Sequence, residues 1–364
     1  MRERVLAHLQ ALVGFDTRNP PRRIGTGGIF DYLREHLRGF EFALHDHGAG
    51  AVSMLATRGS TSRLFNVHLD TVPSSPGWSA DPHVLRVDDK RAIGLGACDI
   101  KGAAACLLAA AERSDGAVAM LFSSDEEAND ARCIEGFLRE DRGYREAIVA
   151  EPTQAQAVLA HRGIASARIA FKGQAGHASS ADAMQHSAVH QAMRWGAAAL
   201  AQVEAQSHAR FGGLTGLRFN IGRVEGGIKG NVVAPSCEAL FNFRPLPSQD
   251  IDGLHAAFRA CAQADALDAY EERFRGPSLP AGDIAQAEER RLAARDLADA
   301  LGLPIGNAVD FWTEASLFSA AGYTAFVYGP GHIAQAHTAD EWVALTQLDD
   351  VAASYLRMMG GARP

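Results

Sequence analysis

The sequence has few cysteines, and their arrangement excludes two kinds of site. Its 364 residues include five cysteines, and no two of them form a Cys-x-x-Cys pair. A disulfide framework and a thiolate zinc site both need an even or closely spaced set. We therefore expect a reduced, cytoplasmic protein without a zinc–thiolate centre.

Long apolar runs and basic clusters are also missing. No apolar run approaches the roughly 18 residues of a transmembrane helix. The formal net charge is −8, which disfavours nucleic acid and anionic membranes as partners. Residues 1–13 lack the apolar core and cleavage site of a signal peptide. We expect a small-molecule partner, with no nucleic acid and no membrane.

The order of apolar and helical segments predicts an α/β protein. Short apolar strands alternate with helices, which is the pattern of a sheet covered on both faces. The strands are predicted at 40–45, 52–57, 64–69, 117–123, 147–150 and 325–328. The helices are predicted at 1–14, 29–37, 103–112, 283–301, 313–321 and from 345 onward. The length suits two domains.

The pattern changes in the middle of the chain. Over residues 163–272 the predicted order is strand, helix, strand, strand, helix, strand, which matches the ferredoxin-like split βαβ motif. Its strands are predicted at 164–171, 217–224, 238–244 and 270–274, and its helices at 188–205 and 251–264. This predicts a domain inserted at 163–272 within a discontinuous catalytic domain, 1–162 and 273–364.

One predicted strand ends in a histidine and an aspartate. Residues 63–71 alternate apolar and polar side chains, so His68 and Asp70 would share a face of the strand. A carboxylate beside an imidazole fixes its tautomer and raises its basicity, as metal-binding histidines require. Taken alone, the pair could equally be the end of an ordinary strand.

Further acidic and histidine residues follow other predicted strands or precede a helix. They are Asp99, Glu127, Glu151 and His337. Ligands of open α/β sheets bind outside the carboxyl ends of the strands. With His68, these residues form a nitrogen and oxygen donor set that suits zinc, cobalt or manganese. If Asp99 bridges, the set makes two metal sites with three protein ligands each.

These positions lie in motifs that together resemble the M20 metallopeptidase family. The motifs are His68-x-Asp70, Gly96-x-x-Asp99-x-Lys101-Gly102, Asp125-Glu126-Glu127, Glu151-Pro-Thr153 and a late His337. The family fold is a zinc-exopeptidase-like, doubly wound mixed sheet with an inserted ferredoxin-like lid and dimerisation domain. The resemblance implies that His68, Asp99 and Glu151 hold one divalent ion. It implies that Asp99, Glu127 and His337 hold a second.

The resemblance also implies catalytic roles. Glu126 would be the general acid and base, and Asp70 would orient His68. The peptide bond between Asp99 and Ile100 would be cis. Glu126 and its neighbour could instead be a solvated charge pair at the start of a helix.

A second set of residues resembles the family's substrate-binding groups. The resemblance implies that His177 stabilises the oxyanion, and that Asn231 and Arg244 clamp a substrate carboxylate. An arginine fork can bind both oxygens of that group. Gly329 and Gly331 could give it backbone N–H donors. Each could instead be a loop, turn or salt-bridge residue.

The segments 211–220, 309–318 and 327–337 resemble the deacetylases of arginine biosynthesis. This implies a zinc- or cobalt-dependent homodimer acting on an N-acetyl amino acid. N-acetyl-L-citrulline is the expected substrate, and N-acetyl-L-ornithine is its near rival. Glu314 is a candidate at the far end of the pocket, or else a charge at a helix N-terminus. The motifs are also compatible with a broader aminoacylase or dipeptidase, or with a non-catalytic binding protein.

Overall fold

A computed structural model gives the fold and describes residues 1–360. The chain divides into two compact units. Unit 1 contains residues 1–159, 290–307 and 313 onward, and unit 2 contains residues 160–289 and 308–312. The predicted insertion, 163–272, lies within unit 2, which extends beyond it at both ends. Residues 361–364 of the predicted catalytic domain lie outside the described residues.

The elements are numbered along the chain. The strands are β1 (Glu41–Asp46), β2 (Val52–Arg58), β3 (Arg63–His68), β4 (Arg86–Val87), β5 (Arg91–Ile93), β6 (Val118–Ser123), β7 (Glu146–Val149), β8 (Ile164–Lys172), β9 (Gly176–His177), β10 (Arg210–Phe211), β11 (Leu214–Thr215), β12 (Arg218–Gly226), β13 (Val232–Val233), β14 (Ser236–Arg244), β15 (Leu267–Gly276), β16 (Thr324–Val327) and β17 (Trp342–Ala344). The α-helices are α1 (Arg2–Val13), α2 (Ile29–His36), α3 (Lys101–Arg113), α4 (Arg132–Leu138), α5 (Ala183–His186), α6 (Ala188–Glu204), α7 (Ile251–Ala260), α8 (Ile284–Ala300), α9 (Ala315–Ala320) and α10 (Leu345–Met358).

Unit 1 is built on a six-stranded mixed sheet in the order β1-β2-β6-β3-β7-β16. Strands β6, β3, β7 and β16 are mutually parallel, while β1 and β2 are antiparallel to their neighbours. Because parallel strands end at the same edge, the residues that follow β3, β6, β7 and β16 come together there. The predicted mixed sheet is confirmed.

Helices cover this sheet closely. Residues 64–68 of β3 are all buried, so both faces of the strand are covered. Helix α3 packs against α1, α2 and α10, while α9 packs on β7 and β16. Residues Lys101–Ala111 of α3 are buried. Most are alanine or glycine, and such small side chains let the neighbouring helices approach α3 closely.

Unit 2 carries a four-stranded antiparallel sheet in the order β12-β14-β8-β15. The chain order is β8, α6, β12, β14, α7, β15, which is the ferredoxin-like motif that the sequence predicts. The buried faces of the two helices and the sheet share one apolar core around Trp195, Phe241 and Phe258. Helix α7 ends at Ala260, four residues earlier than predicted.

The structure contains elements that the sequence analysis did not predict. A small antiparallel sheet has the order β17-β5-β4, and α4 follows the acidic segment after β6. Strands of two or three residues are too short to show an alternating pattern. The small sheet brings β17 beside the loop before α3, since the Gly94 amide donates to the Glu341 carbonyl at 3.0 Å. Within residues 1–360, no helix has the length and apolar character needed to cross a membrane.

Candidate metal centre

The parallel strands of unit 1 deliver acidic and histidine side chains to one edge of the sheet. His68 is the last residue of β3, and Glu126 and Glu127 follow β6. Glu151 follows β7 by two residues. Asp99 lies in the loop before α3, where its peptide bond to Ile100 is cis as expected.

Three of these side chains form a buried group. Nε2 of His68 lies 3.1 Å from Oδ1 of Asp99 and 3.7 Å from Oε1 of Glu151. All three residues are buried, and their candidate ligand atoms lie within 4.8 Å of one another. One imidazole and two carboxylates at this spacing could hold one divalent ion.

A second group shares Asp99 with the first. Nε2 of His337 lies 3.4 Å from Oδ2 of Asp99 and 3.1 Å from Oε1 of Glu127. The two oxygens of Asp99 therefore face different histidines, with His68 on one side and His337 on the other. His337 is exposed, so this second group is open to solvent, whereas the first group is buried.

The donor set fits divalent metal ions. Several carboxyl groups lie close together, and burial raises the pKa of Glu126 and Glu151 well above the usual range. Hydrogen bonds to Asp99 and Glu127 raise the pKa of His337 to about 11. Cations are the natural counter-charge for such a cluster. Imidazole nitrogen and carboxylate oxygen without sulfur suit zinc, cobalt or manganese.

Asp70 contacts two of the candidate ligands, His68 and Glu127. Its Oδ2 accepts hydrogen bonds from the Glu127 amide and from Nδ2 of Asn19, both at 3.0 Å. Nδ1 of His68 lies 3.0 Å from the main-chain carbonyl of Asp70 and 3.4 Å from its carboxylate. The nearer partner of His68 is thus the carbonyl, which differs from the expected carboxylate contact. Asp70 still links the backbone of Glu127 to the strand that carries His68.

Glu341 fixes the loop that carries Asp99. Its carboxylate accepts hydrogen bonds from the amides of Gly96, Cys98 and Asp99 at 2.9–3.0 Å. Glu341 is buried, and burial raises its pKa to about 7. The sequence analysis missed both Glu341 and Asn19. An acidic residue four positions after His337 was the one signal that could have pointed to Glu341.

Glu126 and Glu127 are not a solvated pair at a helix start. Both are half-buried in a turn, and the next helix, α4, begins only at Arg132. The turn is closed by the Asn129 amide, which donates to the Glu126 carbonyl at 2.9 Å. Glu126 therefore immediately precedes the candidate ligand Glu127 in this turn, and its carboxyl group interacts electrostatically with His68, Glu127 and Asp99.

Glu314 lies under the same edge of the sheet. It is 2% exposed, and its Oε2 accepts a hydrogen bond from Oγ of Ser123 at 2.9 Å. Ser123 is the register partner of His68 on the neighbouring strand. Burial raises the pKa of Glu314 to about 8. Glu314 also stands at the N-terminus of α9, but it is a buried group rather than an exposed helix-end charge.

Gly329 and Gly331 differ from the expectation of free amide donors. The Gly329 amide donates to Oγ1 of Thr153 at 3.0 Å, and the Gly331 amide to Oε1 of Gln347 at 2.7 Å. A Cβ at residue 329 would lie 2.6 Å from the Glu151 carbonyl oxygen. We correct the expectation accordingly, because these amides are already used inside unit 1. The absence of a side chain at Gly329 allows close packing against the segment that carries Glu151.

The other predicted substrate residues belong to unit 2. His177 is exposed on β9, where its Nδ1 lies 2.7 Å from Oγ of Ser179. Asn231 is its neighbour, since the Ala178 amide donates to the Asn231 carbonyl at 3.1 Å. Arg244 is half-buried at the end of β14.

Comparisons with known proteins agree with this geometry. The chain is 66% identical over 358 residues to the N-acetyl-L-citrulline deacetylase of Xanthomonas campestris pv. campestris, which covers 98% of each chain. It is 29% identical to the acetylornithine deacetylase of Myxococcus xanthus, over 94% of this chain and 93% of that one. Among solved structures, an M20 family metallo-carboxypeptidase from Sulfolobus solfataricus shares the fold. Its TM-score is 0.74 at 14% identity, over 98% of this chain and 99% of that one.

The family match covers most of the chain. Residues 64–360 match the family described as Peptidase family M20/M25/M40. This range contains all five candidate ligands and Glu126, and it includes unit 2. The chain therefore belongs to peptidase family M20/M25/M40, and it is a hydrolase that acts on amide bonds.

Proposed function

We propose that the protein removes the acetyl group from an N-acetyl-L-amino acid, N-acetyl-L-citrulline, to give citrulline and acetate. The observation that carries the proposal is the 66% identity to a deacetylase named for that substrate, over 98% of both chains. The geometry supports it because two candidate ligand groups share Asp99, and Glu126 is the chain neighbour of one ligand, Glu127. A second candidate, N-acetyl-L-ornithine, is favoured by the 29% identical relative.

We propose that His68, Asp99 and Glu151 hold one zinc or cobalt ion and that Asp99, Glu127 and His337 hold another. When bound, such ions lower the pKa of a water and polarise an amide carbonyl. The chain's own part is to fix the ligands. The main-chain carbonyl of Asp70 lies beside His68, and its carboxylate accepts a hydrogen bond from the Glu127 amide. The carboxylate of Glu341 accepts a hydrogen bond from the Asp99 amide.

Glu126 is the proposed general acid and base. Burial and neighbouring carboxylates raise the pKa of Glu126 well above that of a glutamate in water. Such a group can take a proton from the attacking water and pass it to the leaving nitrogen. Proton delivery to that nitrogen lets the amino acid leave as a neutral amine rather than an amide anion.

Three residues of unit 2 keep proposed substrate roles. His177 would donate a hydrogen bond to the oxyanion, because the contact of its Nδ1 with Ser179 leaves Nε2 to face a ligand. Asn231 and Arg244 would bind the α-carboxylate, for which a guanidinium has the right fork of donors. These roles rest on the family resemblance and on the chemistry of the side chains.

We also propose a homodimer formed through unit 2, in a reducing compartment such as the cytoplasm. Strands β12 and β15 are the outer strands of their sheet, so each has one side open to pairing with another chain. Light scattering on the purified protein should give the mass of two chains. A mass of one 38.8 kDa chain at micromolar concentration would contradict this proposal.

The choice of substrate is tested by comparing two amides on one preparation. The protein is stripped of metal with a chelator, reloaded with Zn²⁺ or Co²⁺, and assayed on N-acetyl-L-citrulline and N-acetyl-L-ornithine. We expect kcat/KM for the citrulline derivative to be at least about tenfold higher, since a pocket built for a neutral ureido group accommodates an ammonium poorly. A preference for the ornithine derivative would reject our choice, and activity that survives complete metal removal would reject the metal roles.

The role of Glu126 is tested by Glu126→Gln, which keeps the size of the side chain and removes proton transfer. We expect kcat to fall about 10²–10⁴-fold, with metal content and thermal stability unchanged. The matched control is Glu135→Gln on α4, where the same change affects an exposed residue. Full activity in Glu126→Gln would show that another group moves the proton.

The role of His177 is tested by His177→Ala. Loss of one oxyanion donor should lower kcat about 10²–10³-fold while KM changes little. His186→Ala removes another exposed histidine of unit 2 and should retain wild-type kinetics. If the two variants behave alike, His177 has no part in the reaction.

A further inference from the structure

A second cluster of metal-binding side chains lies on the helices of unit 1. It consists of His8 on α1, His36 at the end of α2 and Glu112 near the end of α3. Their candidate ligand atoms all lie within 4.8 Å of one another. None of the three belongs to the strand-end cluster, and the amide hydrolysis described above does not use them.

The distances within this cluster match the edges of a metal coordination polyhedron. Oε1 of Glu112 lies 3.2 Å from Nε2 of His8 and 3.4 Å from Nδ1 of His36. Zinc binds nitrogen and oxygen at about 2.0–2.2 Å in tetrahedral sites, which places neighbouring ligand atoms about 3.3–3.6 Å apart. Hydrogen bonds between such atoms are usually shorter, at about 2.9 Å. One carboxylate oxygen thus faces two imidazole nitrogens at ligand-to-ligand spacing.

The surroundings of His8 are those of a metal-binding histidine. Its Nδ1 lies 2.8 Å from the hydroxyl of Tyr32, which fixes the ring and leaves Nε2 directed at Glu112. Ligating histidines commonly have such a partner on their other ring nitrogen. His8 is 4% exposed, so little solvent reaches its ring.

The position of the Glu112 carboxylate and the cleft beside the cluster also suit a bound metal ion. NH1 of Arg4 donates to Oε2 of Glu112 at 3.0 Å, so the guanidinium holds one oxygen and leaves Oε1 between the two histidines. A cleft of about 390 Å³ is lined by His36 and Glu112. It has room for a water to complete the coordination of an ion.

We propose that His8, His36 and Glu112 bind a zinc ion at a site separate from the strand-end metal centre. The three ligands come from three different helices. An ion there would join α1 and α2 to the end of α3. Glu112 lies near the C-terminal end of α3, 13 residues after Asp99, so most of the helix separates the proposed site from the bridging loop.

The test compares the zinc content of variants. Metal-free wild type, His36→Ala and His208→Ala are incubated with Zn²⁺, freed of excess by gel filtration and analysed by plasma mass spectrometry. His36→Ala should hold about one zinc ion fewer per chain than wild type. His208→Ala, which removes an exposed histidine of unit 2, should hold as many as wild type. Turnover by His36→Ala in the presence of metal should equal that of wild type.

A second variant tests the same site if His36→Ala does not fold. Glu112→Gln keeps the size of the side chain and an oxygen for Arg4, but it loses the charge that binds zinc; it should also lose about one ion. Equal zinc in wild type and in folded Glu112→Gln would overturn the proposal, leaving a hydrogen-bonded cluster only. Loss of zinc together with loss of turnover would place the missing ion at the strand-end centre and would also overturn it.

Discussion

The structure of unit 1 depends on a single shared carboxylate. The two oxygens of Asp99 face two histidines that come from opposite ends of the chain, His68 and His337. Glu151 and Glu127 complete the two groups, so that negative charge is concentrated at one edge of the sheet. Concentrated like charge is unfavourable unless cations or protons balance it. The fold therefore maintains an arrangement of side chains that could hold divalent ions.

Hydrogen bonds from the backbone make this arrangement rigid. Glu341 accepts three amides of the loop that carries Asp99, and Asp70 accepts the amide of Glu127. Neither carboxylate is among the five candidate ligands, yet each fixes the chain beside one. Ligands held in this way lose little conformational freedom when an ion binds, which favours tight and selective binding. The small sheet of β17, β5 and β4 contributes to this rigidity, because Glu341 directly precedes β17.

Much of this could be predicted from the sequence, for a physical reason. Parallel strands end at one edge, so polar residues that follow apolar runs, such as His68 and Glu151, were expected to meet. The family motifs supplied the pairing of ligands and the cis bond after Asp99. The order of predicted strands and helices over residues 163–272 was enough to predict the ferredoxin-like unit.

The supporting contacts could not be predicted. Asn19 and Asp70 are 51 positions apart, and Glu341 and Asp99 are 242 apart, so no local pattern connects them. The carbonyl contact of His68 and the occupied amides of Gly329 and Gly331 depend on backbone geometry that residue types do not encode. The cluster of His8, His36 and Glu112 shows the same limit, because it forms only when three helices pack together.

We expect Asp99 to join two ion sites at the end of the sheet. Anomalous diffraction from crystals grown with Zn²⁺, collected on both sides of the zinc absorption edge, measures this directly. We expect two peaks, one beside each carboxylate oxygen of Asp99, with His68 and His337 on opposite sides. Crystals that show zinc elsewhere but no peak at Asp99 would contradict it.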